Sequence, residues 1–170
     1  MAQFGDRIGM LRSDFVGAGL DGFVITHLPN LRYMTGFSGT AGAAVVTPDR
    51  CTLVVDFRYA TAAREILASH PDGLVDLVLV DRTYDETLTD LLRRPEPSRI
   101  GIEGSSMTVT RFERLSILLA GPDRGVSGAV TLVATDRVVE RRRAVKDAFE
   151  IRTLREAARR LSHVGRGVRA

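Results

Sequence analysis

Hydrolytic or metal chemistry in this chain would have to be built from its three histidines, its single cysteine and the carboxylates near them. His27 follows an apolar run, His70 stands beside Pro71, and His163 lies close to the C-terminal end. A two-metal site needs several carboxylates and at least one imidazole converging on one pocket. None of the three histidines has a carboxylate or a second histidine at a recognisable ligand spacing. Asp136 and Asp147 are separated by ten residues, but the interval is helical in pattern and contains Arg141, Arg142 and Arg143 in succession. Three guanidinium groups there oppose a dication. The residues therefore assign no catalytic group and no metal ligand. Cys51 sits in an apolar, strand-like run, where a thiol is buried and inert. With one cysteine there is no internal disulfide.

Two glycine-rich stretches raise the question of phosphate binding. Gly17-Ala-Gly-Leu-Asp-Gly22 has the G-x-G-x-x-G spacing, but it follows a helical pattern and opens a strand. The dinucleotide fingerprint needs the reverse order, so that amides converge at a helix N-terminus. The loop Gly36 to Gly42 has no following Lys-Ser or Lys-Thr and is not a P-loop. A third possibility is nucleic acid. The formal net charge is +3, yet from Arg137 onward there are eleven Lys/Arg against four Asp/Glu, so the rest of the chain is acidic on balance. The basic segment has no interleaved aromatic platform except Phe149 and no zinc or helix-turn-helix pattern. It reads as a solvated helix face whose arginines pair with Glu140, Glu150 and Glu156, and no nucleic-acid partner is expected.

The elements that must position these residues follow from periodicity. Phe4, Ile8, Leu11 and Phe15 share one helical face, stopped by Gly17 and Gly19. Gly22 to Thr26 reads as a buried strand, Leu31 to Met34 as a helical turn opened by Pro29-Asn30, and Ala43–Thr47 with Thr52–Asp56 as a hairpin around Pro48-Asp-Arg. Then come a helix over Tyr59–Ala68, a strand over Leu77–Val80, a helix from Tyr84 to Arg94 ended by Pro95 and Pro97, a strand over Arg99–Glu103, a helix over Thr110–Ala120 closed by Gly121-Pro122, and a strand over Ala129–Val133. Strands alternating with helices after one hairpin predict an α/β fold, with a mixed, mostly parallel central sheet and helices on both faces. With 44% hydrophobic and 26% charged residues the composition is that of a soluble domain. No apolar run spans a bilayer, and the N-terminus lacks a signal-peptide pattern. A cytoplasmic protein without membrane contact is expected.

The last segment differs. Val138 to Arg143 is helical and basic, and Asp147-Ala-Phe-Glu150 has the form of a capping box. Ile151, Leu154, Ala158 and Leu161 then make an apolar stripe at helical spacing. The expected division is 1–137 for the α/β domain and 138–170 for a basic linker and the first helix of a further domain.

Three segments, in order, resemble the N-terminal domain of Xaa-Pro aminopeptidases, prolidases and creatinase: Asn30-Leu-Arg-Tyr-Met-Thr-Gly-Phe37 with Ser-Gly-Thr-Ala-Gly42; Val55-Asp-Phe-Arg-Tyr59; and Arg141 to Leu161, with Val145-Lys-Asp-Ala-Phe-Glu-Ile151 and Leu154-Arg-Glu-Ala-Ala158. The resemblance implies a ribonuclease-H-like arrangement and a division of labour. A C-terminal "pita-bread" domain, absent from this chain, would hold two divalent metals (manganese, cobalt or zinc) through two aspartates, one histidine and two glutamates, and would hydrolyse the peptide bond before proline in proline-containing peptides. The N-terminal domain would assemble a homodimer and gate the partner's active site. On this resemblance Tyr33, Phe37, Arg58 and Tyr59 are the candidates for gating or interface contacts. Arg58 would grip a peptide carboxylate bidentately or else pair with Asp56. The three aromatic residues would line the mouth or else pack in the core. Gly36, Gly39 and Gly42 would shape the loop. The missing domain would pack on the Ile151, Leu154, Ala158, Leu161 face. The chain alone is expected to be inactive, and the parent to be an aminopeptidase or dipeptidase. The alternatives are a stand-alone dimerisation or binding module that has lost its catalytic half, and a creatinase-like amidinohydrolase parent.

Overall fold

The computed structural model describes residues 3–71, 73–93, 98–120 and 129–168. Six strands, β1 (Gly22–Ile25), β2 (Ala43–Val46), β3 (Cys51–Val55), β4 (Asp76–Leu79), β5 (Ser98–Glu103) and β6 (Val130–Thr135), form one sheet in the order β4-β3-β2-β1-β5-β6. β2 runs antiparallel to both β1 and β3, while the β1–β5, β3–β4 and β5–β6 pairings are parallel. All strands but β2 therefore point the same way, giving the mixed, mostly parallel sheet that the alternation of elements predicts.

Side-chain alternation places a hydrophobic cluster on each face of this sheet. Phe23, Ile25, Ala44, Val46, Leu53 and Val55 point to one face. Against them lie Ile8, Leu11 and Phe15 of α1 (Gln3–Gly17), Leu31 and Met34 of α2 (Leu28–Thr35), and Ala63 of α3 (Ala60–Leu67). Val24, Ala43, Val45, Val54, Ile100 and Ile102 point to the other face. There they meet Leu88 and Leu92 of α4 (Tyr84–Leu92) and Leu115 of α5 (Val109–Ala120). A strand covered on both faces reads as a continuous apolar run, which is why β1 to β3 show no polar alternation in sequence.

The boundaries carry the local chemistry. Gly19, at φ +67°, turns the chain between α1 and β1, so the Gly17 to Gly22 pattern lies in a helix-to-strand turn and not at a helix N-terminus. α2 is longer than the four-residue turn expected from Pro29-Asn30. It starts at Leu28, because Pro29 occupies the first turn, where its missing N–H costs nothing. A 3-10 turn over Phe57–Tyr59 precedes α3, and β6 extends to Thr135, beyond the expected end at Val133. The helix and strand stops at Pro95, Pro97 and Gly121-Pro122 lie outside the described residues. Cys51 is buried in β3, and burial pushes its thiol up to about 12.

The chain separates into two compact units, Met1–Val139 and Glu140–Ala170, with the division inside α6 (Val138–Ala144). In the second unit, Asp147 and Glu150 form the reciprocal capping box. The Glu150 N–H donates to the Asp147 carboxylate at 2.8 Å, and the Asp147 N–H donates to the Glu150 carboxylate at 3.1 Å. They open α7 (Ala148–Val168), on which Glu156 pairs with Arg159 and Arg160. Among the described residues no helix is long and apolar enough to cross a membrane.

Candidate functional site

The carboxyl ends of β1, β3, β4, β5 and β6 share one edge of the sheet, and the glycine loop that feeds β2 arrives at the same edge. Most of the residues singled out by the sequence gather there. Gly36 ends α2 in the left-handed region, at φ +75°, and its N–H closes the helix on the Arg32 carbonyl. The chain then reverses, and the Phe37 N–H donates to the Thr35 hydroxyl.

Phe37 is 2% exposed and belongs to the core. Its ring meets Tyr59 edge-on, with centroids 5.6 Å apart and planes at 85°. Gly39 passes directly over this pair. A Cβ at position 39 would stand 2.3 Å from Phe37 Cζ and 3.0 Å from Tyr59 Cδ1, so only glycine fits without moving an aromatic ring. The Tyr59 hydroxyl and Thr40 Oγ1 are 2.5 Å apart and tie the loop to the turn.

The turn itself is built on Asp56, which caps Phe57–Tyr59. Its carboxylate accepts the Arg58 N–H at 3.0 Å and Arg58 Nε and Nη2 at 2.9 Å each. The fourth donor is the Tyr84 hydroxyl, from the start of α4, at 2.9 Å. The bidentate guanidinium, then the Tyr84 hydroxyl, hold the Asp56 carboxyl well below the usual carboxylate range. Arg58 is driven in the opposite direction by the same contact. Burial, followed by the bond to Asp56, pushes the Tyr84 phenol up to about 12. Arg58 thus holds Asp56 with its fork while its side chain remains 60% exposed. Its charge is compensated from below, and its outer face is open to an incoming acceptor.

Tyr33 makes a different set of contacts. The Arg7 guanidinium lies 4.0 Å from its ring centroid, and Arg7 Nη1 donates to its carbonyl at 2.8 Å. The same guanidinium lies 5.6 Å from the Phe4 ring, and Phe4 stacks on His70 at 4.5 Å. Burial lowers the His70 pKa. Phe37, Arg58 and Tyr59 therefore form one linked group with Thr40, Asp56 and Tyr84, and Tyr33 belongs to the Arg7–Phe4–His70 packing.

Sequence reading missed three residues. Tyr84 is one, because nothing in a helix start announces a partner 28 residues earlier. Phe57 is another: it is 80% exposed, an aromatic ring held outward on a capped turn. Glu103 is the third. It ends β5, is 3% exposed, and accepts from the Thr26 and His27 N–H groups and from Asn30 Nδ2, each at 2.7 Å. A charged residue closing the apolar run Ile-Gly-Ile was the available signal. At this edge Asp56 is taken by Arg58 and Tyr84, and both Glu103 oxygens accept N–H groups.

Comparison with known proteins bears on the family and the fold. The sequence model described as the Creatinase/Prolidase N-terminal domain matches residues 7–145. The uncharacterized peptidase YqhT of Bacillus subtilis is 32% identical over 159 residues, covering 90% of this chain and 40% of that protein. The chain thus spans well under half the length of this curated relative. Among solved structures, the N-terminal domain of the cytoplasmic peptidase PepQ from Mycobacterium tuberculosis is 28% identical with a TM-score of 0.62, covering 80% of this chain and 97% of that one. An Xaa-Pro dipeptidase from Bacillus anthracis shares the fold with a TM-score of 0.73 at 24% identity, covering 90% of this chain and 39% of that one.

Proposed function

The chain belongs to the creatinase/prolidase N-terminal domain family, and on that premise we propose that it is the non-catalytic N-terminal domain of a cytoplasmic, two-metal Xaa-Pro peptidase. Its work is dimer assembly and gating of the partner's active site. The observation that carries the reading is the match to the PepQ domain, which this chain covers almost end to end while covering only 40% of the peptidase YqhT. The metals belong to the further domain, where they would activate a water toward the peptide carbonyl. This chain contributes surface. Exposed Phe57 and half-exposed Arg58, on a turn fixed by Asp56 and Tyr59, are an aromatic and a cation of the kind that anchor protein contacts.

The second unit supplies the junction. Leu154 is 56% and Leu161 75% exposed along the apolar side of α7. Together with Ile151 and Ala158 they form the face on which the catalytic domain packs.

A direct assay tests this reading. The 170-residue chain, incubated with manganese and proline-containing dipeptides or tripeptides, releases no amino acid. Metal-dependent release of the residue before proline by this chain alone would overturn it. In the longer protein read from the coding sequence beyond codon 170, two Asp, one His and two Glu in family order are expected, with hydrolysis restored. A stop codon there would leave a stand-alone binding module instead.

A further inference from the structure

β1 and β5 lie side by side and parallel, but the chain leaves them in opposite directions. β1 leads through α2 to β2 on one side, and β5 leads through α5 to β6 on the other. At such a reversal the carboxyl edge of an open sheet forms a crevice, and α/β proteins place their ligands in it. In this chain the crevice holds a carboxylate. Glu103 Oε2 accepts the consecutive backbone N–H groups of Thr26 and His27, and Oε1 accepts the side-chain amide of Asn30, all at 2.7 Å. The Thr26 hydroxyl lies 3.4 Å from Oε2. Asn30 is fully buried.

Two adjacent backbone N–H groups aimed at one oxygen, with a buried amide on the other, form a receptor for a planar carboxylate. The geometry points to the β1–β5 crevice as a monocarboxylate-binding site whose ligand is the chain's own Glu103. The occupant comes from the far strand of the crevice, 76 residues along the chain from His27. It fills the position at which a diffusible ligand would enter. The intact domain takes no small anion there, and its edge is left to surface recognition by the loop and the Asp56 turn. Cutting the side chain back to alanine empties the receptor without touching its donors, and a small free carboxylate then fits where the Glu103 carboxylate was.

The test is chemical rescue of the full 170-residue chain. Glu103→Ala melts well below wild type in chloride. Formate or acetate at constant ionic strength raises its melting temperature along a saturating curve, and shifts the Thr26 and His27 amide resonances. Pivalate, too bulky for the emptied volume, does not. Wild type shows no saturating response to any of these ions. Glu103→Gln keeps the side chain in place, melts below wild type because an NH2 group replaces one acceptor, and gains nothing from acetate. A folded Glu103→Ala that ignores acetate and formate overturns the proposal, as does equal stabilisation by sulfate. If Glu103→Ala does not fold in any of these salts, Glu103→Gln decides: a melting temperature equal to wild type would show that no carboxylate is needed.

Discussion

Tyr84 and Asp56 bind each other twice: the tyrosine hydroxyl donates to the Asp56 carboxylate at 2.9 Å and accepts the Asp56 backbone N–H at 3.0 Å. One oxygen thereby fixes both the end of β3 and the cap of the following turn to the first residue of α4. Tyr84→Phe removes both bonds and leaves the ring. We expect the melting temperature to fall by about 2–4 °C, the shift that roughly 1 kcal/mol makes in a chain of this size. Calorimetry of the two proteins checks it.

The Asp56 carboxyl is held low by Arg58 first and by Tyr84 after it, so its folded-state pKa lies below its unfolded value of 3.8. A depressed carboxyl contributes stability that is fully present above the unfolded pKa and is lost as pH falls through and below it. Asp56→Asn should therefore melt below wild type by a constant margin from neutral pH down to about pH 5, with the margin shrinking below about pH 4. A gap that stays constant to pH 2 would show that the carboxylate charge is not what stabilises the turn.

His70 presents the opposite case. Its ring is almost wholly buried against Phe4, and burial lowers its pKa. The unfolded chain then takes up a proton more readily than the folded one, so this residue's contribution favours folding above the unfolded value of 6.5 and opposes it as pH falls below. His70→Phe keeps an aromatic ring on Phe4 and should flatten the loss of stability between about pH 6.5 and 5. Thermal melts across that interval, with Asp56 intact, isolate the effect.

At Gly39, alanine would place its Cβ 2.3 Å from Phe37 Cζ. Either the buried ring moves or the loop does. We expect Gly39→Ala to cost about 1–3 kcal/mol and to break the Thr40–Tyr59 contact, visible as faster hydrogen exchange in the loop. Gly19→Ala offers a contrast: no heavy atom lies within 4 Å of the added Cβ, and its penalty comes from φ +67° alone.

The sheet and its helices were legible because the relevant signals are local. Ile8, Leu11 and Phe15 reveal the buried face of α1, Pro48-Asp-Arg marks the β2–β3 turn, and Asp147 with Glu150 caps α7, all within a few residues of each other. The Arg58–Asp56 pair was legible for the same reason. Tyr84 and Glu103 were not, since their partners lie 28 and 76 residues away and their role depends on which strands become neighbours. Phe37 was ambiguous in sequence between core and loop mouth. Burial under Gly39 decides it, and no periodicity in a seven-residue glycine loop reports burial.

The lone antiparallel strand has a kinetic consequence. β1, β2 and β3 follow one another both in the chain and in the sheet, so this half assembles from short loops. β5 joins β1 only after an excursion that includes α3, β4 and α4, with Asp21 and Arg99 meeting across 78 positions. Closing a long loop costs entropy before any contact is made. The β1–β5 seam is thus the late step of folding, and substitutions along it should slow refolding less than they accelerate unfolding. It is also where a nascent chain leaves the hydrogen-bonding edge of β1 unpaired the longest, before residues 98 to 103 arrive.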